Sequence, residues 1–277
     1  MQFTKWHGLG NDFVIINSEA VHITDYRQQA LAVCDRNFGI GADGLVVLSP
    51  SDTADFKMRI FNSDGSEADM CGNATRCVAR YLYESGLTAK KTITLDTLAG
   101  IITPELVFDQ DTLVTIKVDM GEPKLTRGET PMTGNADEKA VNVAIEADGQ
   151  TYRVTALSMG NPHCVIFVDD VAAINLADIG PKIETHPLFP RKTNVEFIQV
   201  IDRQTLRMRV WERGAGITKA CGTGASAALV AAVLNGHSDR QATVKLDGGD
   251  LFIHWADNNH IYKSGPAVEV FKGEYLL

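Results

Sequence analysis

The chain has 277 residues, which is long enough for two domains that each bury a hydrophobic core. Its 44% hydrophobic and 22% charged residues are typical of a soluble globular protein. The formal net charge of −9 argues against a nucleic acid or an anionic membrane as a partner, because binding either one requires a basic surface.

The predicted elements occur in the same order in both halves of the chain. In the first half, a strand, a helical or loop segment, two strands, a helix and two strands are predicted at residues 13–16, 26–37, 45–48, 57–61, 74–84, 92–97 and 113–118. In the second half the same series is predicted at residues 164–168, 176–187, 195–201, 205–211, 225–234, 242–246 and 251–254. Residues 121–139 are rich in Gly, Pro and Thr, which indicates a linker region.

A cysteine-glycine pair occurs twice, as Cys71-Gly72 and Cys221-Gly222, at an offset of 150 residues. Other segments match at the same offset: Leu9-Gly10-Asn11 with Met159-Gly160-Asn161, residues 57–61 with 207–211, and Gly86 with Gly236. After a slip of one residue, Leu95-Asp96 matches Leu246-Asp247. We interpret this pattern as a tandem duplication in which each half supplies one thiol.

The helix predicted at residues 225–234 has no charged face. A helix that is apolar on all sides must be buried on all sides, and its neighbours in the chain are predicted strands. We therefore expect a curved sheet or open barrel wrapped around it. Gly86 and Gly236 lie where a left-handed residue ends a helix, which predicts that both helices stop there.

Each cysteine of the repeated pair is predicted at the N-terminus of a helix. The unpaired amides there carry partial positive charge, which can lower a thiol pKa from about 8.5 to roughly 3.5–7.5. If the two helix ends faced each other, their amides could receive a carboxylate, and the two thiols would flank the carbon attached to it. Such a pair suits removal of an α-proton by a thiolate on one face and its return by a thiol on the other.

Seven motifs in order resemble those of the diaminopimelate epimerase family: GLGNDF (8–13), FNSDGSEADMCG (61–72), MCGNATRC (70–77), MGNPHCV (159–165), TNVEF (193–197), WERGAG (211–216) and ACGTGAS (220–226). The resemblance implies a cofactor-independent enzyme that interconverts L,L- and meso-diaminopimelate and acts as a homodimer. It implies an α+β fold of two pseudo-symmetric domains, each a strand-rich barrel around a central helix. The expected domains are 1–119, joined by a C-terminal strand at 267–277, and 120–266.

The resemblance also implies roles for individual residues. Cys71 and Cys221 match the two acid/base cysteines, and His163 and Glu212 match positions that tune the thiols. The positions that match substrate contacts are Asn11, Asn62, Gly72, Asn73, Asn161, Asn194, Glu212, Arg213, Gly222 and Thr223. Because a guanidinium binds a carboxylate with two parallel hydrogen bonds, we expect Arg213 to bind the distal carboxylate.

The duplication separates these residues into symmetric and asymmetric pairs. Asn11 pairs with Asn161, which keeps the symmetry of the reacting centre. Three further pairs break it: Asn62 with Glu212, Ser63 with Arg213, and Gly44 with Asn194. Inversion of one carbon favours symmetry near that carbon, whereas distinguishing the two ends of a long substrate favours asymmetry farther away. Three positions depart from residues common in the family, Gly44, Ala74 and Ile217, and these leave the substrate open.

The remaining cysteines, Cys34, Cys77 and Cys164, are predicted to be core residues. The spacing of all five cysteines favours reduced thiols over a secreted disulfide framework, lacks the ligand pattern of a zinc site, and includes no Cys-x-x-Cys redox pair. With no signal peptide and no transmembrane segment predicted, we expect a cytoplasmic protein. Two alternatives stay open: a racemase of another amino acid, such as histidine, and a non-catalytic amino-acid-binding or thiol-redox protein.

Overall fold

The computed structural model describes residues 1–19 and 23–276. The chain divides into two compact units, one formed by Met1–Asp119 with Ser264–Leu277 (unit 1) and one by Met120–Lys263 (unit 2). The boundaries expected from the sequence lay after residues 119 and 266, and residues 20–22 and Leu277 of the expected N-terminal domain lie outside the described residues. That the two units are two catalytic halves stays a prediction.

The elements alternate between strands and a few helices. Those before residue 120 are β1 (Gln2–Gly8), β2 (Asn11–Asn17), α1 (Tyr26–Cys34), β3 (Gly44–Ser49), β4 (Phe56–Asn62), β5 (Glu67–Ala68), α2 (Gly72–Glu84), β6 (Leu95–Thr97), β7 (Gly100–Ile102), β8 (Glu105–Asp109) and β9 (Thr112–Asp119). Those that follow are β10 (Ala140–Ala147), β11 (Gln150–Ser158), β12 (Pro162–Phe167), a 3-10 turn (Val171–Ala173), α3 (Leu176–Glu184), β13 (Asn194–Asp202), β14 (Thr205–Glu212), β15 (Gly216–Thr218), α4 (Gly222–Leu234), β16 (Gln241–Leu246), β17 (Gly249–Trp255), β18 (Ile261–Gly265) and β19 (Val268–Glu274).

The two units share one strand order. In unit 1 it is β19-β1-β2-β3-β4-β6-β7, and in unit 2 it is β10-β11-β12-β13-β14-β16-β17-β18. In both, the third and fourth strands of this order (β2 and β3, β12 and β13) are parallel, with Phe13 opposite Gly44 and His163 opposite Asn194, a register that repeats at the 150-residue offset. The predicted fold class, two pseudo-symmetric α+β domains, is confirmed.

Each central helix packs against strands of its own unit. Helix α4 packs against β11, β12, β13, β14, β16 and β17, and every residue from Gly224 to Ala232 is buried. This confirms the prediction that an all-apolar helix is enclosed by strands. Helix α2 packs against β1, β2, β8, β9 and β19. Gly86 and Gly236 both have a φ of 74°, so both helices end at the predicted left-handed residue. Within the described residues, no helix is long and apolar enough to cross a membrane.

The sequence-based prediction was wrong or incomplete in several places. Besides β1, it had no strand at β5, β7, β8, β10, β11, β15 or β18. The slip that matched Leu95 with Leu246 is corrected by the strand register, in which Leu95 lies opposite Phe56 and Val244 lies opposite Leu206. Helix α1 ends at Cys34 rather than near residue 37, since the Asp35 carboxylate accepts from the next amides and competes with the helix.

Strand β1 was not predicted because one of its buried residues is a lysine. Lys5 is 5% exposed, and its Nζ lies 2.8 Å from the Asp12 carboxylate on the neighbouring strand. A buried charge is tolerated when it is paired, so the ion pair allows the lysine in the core. A pattern search that counts apolar residues cannot recognise such a strand.

Candidate active site

Both cysteines of the repeated pair are N-cap residues of the central helices. Cys71 precedes α2 with extended φ and ψ of −141° and 113°, and Cys221 precedes α4 with −119° and 110°. The first N–H groups of an α-helix have no partner within the helix, so each thiol lies beside unpaired amides. Two matched helix N-termini are therefore present, one in each unit, and each is suited to an anionic group.

Around Cys71, three of the predicted residues are in direct contact. The Asn11 carbonyl oxygen accepts from Asn73 Nδ2 at 3.1 Å and from Cys71 Sγ at 3.7 Å. The Asn11 amide nitrogen donates to Asp43 Oδ2 at 2.8 Å. Cys71 itself is half-buried, and its side chain accepts no hydrogen bond from the helix it caps. Gly72 is the first residue of the helix, beside this cluster.

Around Cys221, the environment is more enclosed. The residue is 4% exposed, and its Sγ accepts from the Gly224 amide at 3.3 Å and lies 3.5 Å from the Thr223 hydroxyl. A Cβ on Gly224 would lie 2.8 Å from Glu196 Oε1 and 3.2 Å from the Cys221 sulfur. Glycine at position 224 therefore allows a carboxyl group and a thiol to approach the same helix turn.

Burial and nearby carboxylates oppose the effect expected of the helix end at Cys221. Desolvation raises the pKa of the Cys221 thiol well above its usual value, and the charges of Glu212 and Glu196 raise it further. The hydrogen bonds from Thr223 and the Gly224 amide act in the opposite direction and are outweighed. The helix end, which can lower a thiol pKa, is thus outweighed at Cys221 by the enclosure of the thiol, which raises its pKa.

A buried hydrogen-bonded series leads from Glu196 to Asn161. His163 Nδ1 lies 2.7 Å from Glu196 Oε1, and His163 Nε2 lies 3.0 Å from the Asn161 carbonyl oxygen. Glu196 and His163 are both fully buried, and Glu196 Oε2 has no hydrogen-bond partner among the described residues. Burial raises the pKa of the Glu196 carboxyl, whereas the His163 charge lowers it. Both ring nitrogens of His163 are engaged, so its predicted role in tuning a thiol stays a prediction.

The turn after β14 holds Glu212 and Arg213. Asn194 accepts from the Arg213 backbone N–H at 2.9 Å and donates to the Pro162 carbonyl at 2.8 Å, so its amide links two segments of unit 2. The Arg213 guanidinium is exposed and donates to the Arg191 carbonyl at 3.2 Å. Glu212 accepts from the Thr218 hydroxyl. In unit 1, the residue paired with Glu212 is Asn62, which donates to Ser66 at 2.9 Å.

Sequence reasoning missed four residues of this region. Asp43 and Glu196 hold Asn11 and His163, and the buried Glu184 accepts from the Trp211 indole at 2.7 Å and from the Gly214 amide at 3.1 Å, which orders the turn that carries Glu212 and Arg213. The fourth is Arg76, a fully buried cation one turn after Cys71 that donates to the Gly72 carbonyl at 3.3 Å. A usable signal existed for Glu196, since this charged residue stands between Val195 and Phe197 in a predicted strand.

The other cysteines lie in the core, as predicted. Burial raises the pKa of both Cys34 and Cys77 to about 12, and raises that of Cys164 well above the usual thiol value. Across residues 1–19 and 23–276, no group of three or more His, Cys, Asp or Glu side chains is arranged to hold a metal ion.

Comparison with known proteins gives relatives along the whole chain. The family model for diaminopimelate epimerase matches residues 3–126 and 155–270. A diaminopimelate epimerase of Pelotomaculum thermopropionicum is 57% identical over 277 residues and covers 99% of both chains. Diaminopimelate epimerase 1 of a Nostoc species is 56% identical over 280 residues, again with 99% of both chains covered.

Two solved structures are similar in fold at low sequence identity. A phenazine biosynthesis protein of the PhzF family from Bacillus anthracis has a TM-score of 0.73 at 18% identity, covering 100% of this chain and 99% of that one. A hydroxyproline epimerase from Agrobacterium vitis, with bound trans-4-hydroxy-L-proline, has a TM-score of 0.65 at 15% identity, covering 99% and 90%. The family match and the full-length relatives show that this chain belongs to the diaminopimelate epimerase family.

Proposed function

We propose that the chain is an isomerase that interconverts L,L- and meso-diaminopimelate, in lysine and peptidoglycan precursor biosynthesis, with two thiols and no cofactor. The observation that carries the proposal is the 57% identity along nearly the whole chain to a diaminopimelate epimerase. Each central helix also begins at a matched, unpaired cysteine. Both cysteines are needed for the reaction because inversion requires a base on one face of the α-carbon and an acid on the other.

The reaction proceeds in two proton transfers. The thiolate of one cysteine takes the α-proton, so that the C–H bond breaks, an S–H bond forms, and the electron pair is delocalised into the α-carboxylate. The thiol of the other cysteine then gives its proton to the opposite face, so that its S–H bond breaks and a new C–H bond forms. The two cysteines have exchanged protonation states, and the next turnover runs in the opposite direction.

The environment of Cys221 supports a proposal for its starting role. Because its pKa is raised well above the usual thiol value, Cys221 is protonated at neutral pH and serves as the acid before the first turnover. Cys71 is then the first base. The Gly224 amide and the Thr223 hydroxyl, which contact the Cys221 sulfur, stabilise the thiolate that forms once the proton has left.

The carboxylate next to the reacting carbon is held by backbone amides at the two helix ends, at Gly72, Asn73, Gly222 and Thr223. These amides oppose the negative charge that develops on the carboxylate as the α-proton leaves, which is the electrostatic term the reaction most needs. Arg213 binds the distal carboxylate, and Asn62, Asn194 and Glu212 contribute to recognition of the distal end. The chain acts as a homodimer in the cytoplasm, as the family resemblance implies.

The decisive experiment follows the α-proton by NMR in deuterium oxide. The reduced protein is incubated separately with L,L-diaminopimelate, meso-diaminopimelate, histidine and proline. We expect deuterium to replace the α-proton of both diaminopimelate isomers, with interconversion of the two. Exchange of histidine or proline alone would instead identify a racemase of that amino acid, and exchange of none would favour an amino-acid-binding or thiol-redox protein.

A further inference from the structure

Asn11 and Asn161 occupy matched positions in the duplication, yet their side-chain amides are held by different atoms. In unit 1, Asp43 holds the nitrogen of the Asn11 amide, and the carbonyl oxygen faces Cys71 and Asn73. In unit 2, the ring of His163 holds the oxygen of the Asn161 amide. The Asn161 amide nitrogen makes no hydrogen bond to any described residue.

We infer that Asp43 and Glu196 are positioning residues that orient these two amides in opposite directions, Asp43 directly and Glu196 through His163. Unit 1 then presents a carbonyl acceptor, and unit 2 presents an amide donor. The inference rests on the proposed function for the identity of the substrate, and on contacts within each unit for its geometry.

In unit 1, the reverse orientation of Asn11 is excluded by its neighbours. Rotating the amide by half a turn would place its carbonyl oxygen 2.8 Å from the Asp43 carboxylate and its nitrogen against the Asn73 amide nitrogen. The first contact pairs two acceptors, and the second pairs two donors. The Asp43 carboxylate also pairs with Arg36 at 2.7 Å and accepts from the Asp12 amide at 3.1 Å, so it is itself held in place.

In unit 2, the orientation depends on how many protons the Glu196–His163 pair holds. With one proton the pair has a net negative charge, fully buried beside the Cys221 thiol and close enough to Glu212 for mutual repulsion. With two protons the pair is neutral overall, and burial favours that state.

In the two-proton state, one proton is shared between His163 Nδ1 and Glu196 Oε1, and the other is on His163 Nε2. Nε2 therefore donates, whichever atom holds the shared proton. The Asn161 carbonyl oxygen, 3.0 Å away, is the group that can accept. The free side of the Asn161 amide is thus its NH2 group.

The duplication shows that neither arrangement can form in the other unit. Asp43 pairs with Thr193, His163 with Phe13, and Glu196 with Val46. Phe13 and Val46 have no polar side-chain atom, and Thr193 donates its hydroxyl to the backbone oxygen of Asn194.

One amide that presents its carbonyl oxygen and one that presents its NH2 group fit the chemistry of an amino acid, whose ammonium group donates and whose carboxylates accept. The Asn11 carbonyl oxygen is suited to the ammonium group, and the Asn161 NH2 group is suited to a carboxylate oxygen. A pair of asparagines that is symmetric in sequence can therefore bind two chemically opposite groups.

The part of the inference that concerns unit 1 is tested by exchanging the amide of Asn11 and the carboxylate of Asp43. Asn11→Asp places a carboxylate against Asp43, and we expect kcat/KM to fall about ten- to a hundredfold. Adding Asp43→Asn restores a donor facing the new carboxylate, and we expect kcat/KM to recover most of its wild-type value. A double variant no more active than Asn11→Asp would overturn the role of Asp43. Arg36→Gln is the matched control, because it removes the ion pair of Asp43 and keeps the carboxylate that holds Asn11.

The part of the inference that concerns unit 2 is tested without substrate, by nitrogen-15 NMR of the histidine rings at neutral pH. The His163→Asn variant identifies which signal belongs to His163. We expect Nε2 of His163 to be protonated in the wild-type protein. An unprotonated Nε2 would overturn the orientation of Asn161. Because this measurement needs no turnover, it separates failure of the inference from failure of the proposed epimerase activity, and it still applies if Asn11→Asp does not fold.

Discussion

The N-termini of helices α2 and α4 place a cysteine at the same structural position and surround it differently. Cys71 is half-buried, and the turn that follows it carries Ala74. Cys221 is buried, and Gly224, the counterpart of Ala74, leaves room for the Glu196 carboxyl group. The duplication has preserved the position of the reactive atom, whereas the groups that set its protonation state have diverged.

The same division applies to the residues around the two thiols. Each unit holds a matched asparagine, but with Asp43 in one unit and His163 in the other. A two-thiol inversion needs two equivalent proton carriers, and it also needs one of them to start with a proton and the other without. Equivalent helix ends supply the first requirement, and unequal surroundings supply the second.

The strongest test of this comparison removes each thiol in turn. We expect Cys71→Ala and Cys221→Ala each to lower the rate of inversion by at least about 10²–10⁴-fold, since each variant lacks either the base or the acid. The rate is measured by following interconversion of L,L- and meso-diaminopimelate. Cys34→Ala, at a buried cysteine outside the site, is the control and should retain inversion. An alanine variant of either N-cap cysteine with near wild-type activity would contradict the pairing.

The difference in thiol environment predicts unequal alkylation. In the reduced protein at neutral pH, we expect iodoacetamide to label Cys71 at least about tenfold faster than Cys221, since Cys71 is more accessible and the raised pKa of Cys221 keeps it protonated. Below its pKa, the thiolate fraction of Cys221 rises about tenfold for each pH unit, so its labelling should accelerate with pH. Peptide mass spectrometry measures both rates. Faster labelling of Cys221 at neutral pH would reverse the assigned roles.

The asymmetric pair Ser63 and Arg213 predicts a binding effect at the distal end of the substrate. Arg213→Lys keeps the charge and loses the planar fork that binds a carboxylate through two hydrogen bonds. We expect KM for diaminopimelate to rise about tenfold, with a smaller change in kcat. Steady-state kinetics provide the measurement, and thermal unfolding checks that the fold is intact. Unchanged kinetics would remove Arg213 from the site.

The smallest effects are expected at the matched helix positions 74 and 224. Gly224→Ala adds a Cβ 2.8 Å from Glu196 Oε1, and we expect the free energy of unfolding to fall by about 1–3 kcal/mol because the site is tightly packed. Ala74→Gly is the reciprocal change and should cost only about 1 kcal/mol, the difference in helix propensity. Urea denaturation measures both. If Gly224→Ala proved neutral, the close approach of Glu196 to this helix turn would not hold.

Much of this organisation was predictable from local patterns in the chain. The offset between the Cys-Gly pairs indicated the duplication, and the uniformly apolar segment at 225–234 indicated an enclosed helix. Glycines 86 and 236 indicated where the helices end. The helix and its end depend on residues close together in sequence, and the duplication depends on a repeated order of residues, so all three could be predicted from the sequence.

Other features depend on contacts between distant segments. Glu196 is 25 residues before Cys221 and 33 after His163, and no spacing rule relates three residues on β12, β13 and the start of α4. The contact of Asp43 with Asn11 likewise depends on the pairing of β2 with β3. Sequence reasoning therefore named the asparagines and cysteines and missed the carboxylates that hold or oppose them.

By itself, the sequence determined the family, the repeated architecture and the position of a thiol at the start of each central helix, because these follow from motifs and from hydrophobic periodicity. Only the tertiary structure decided that Cys221 lies in an enclosed site that raises its pKa and that the two paired asparagines have different hydrogen-bond partners. The physical reason is that desolvation, charge repulsion and hydrogen-bond direction depend on distances through space between strands, which the order of residues along the chain does not specify.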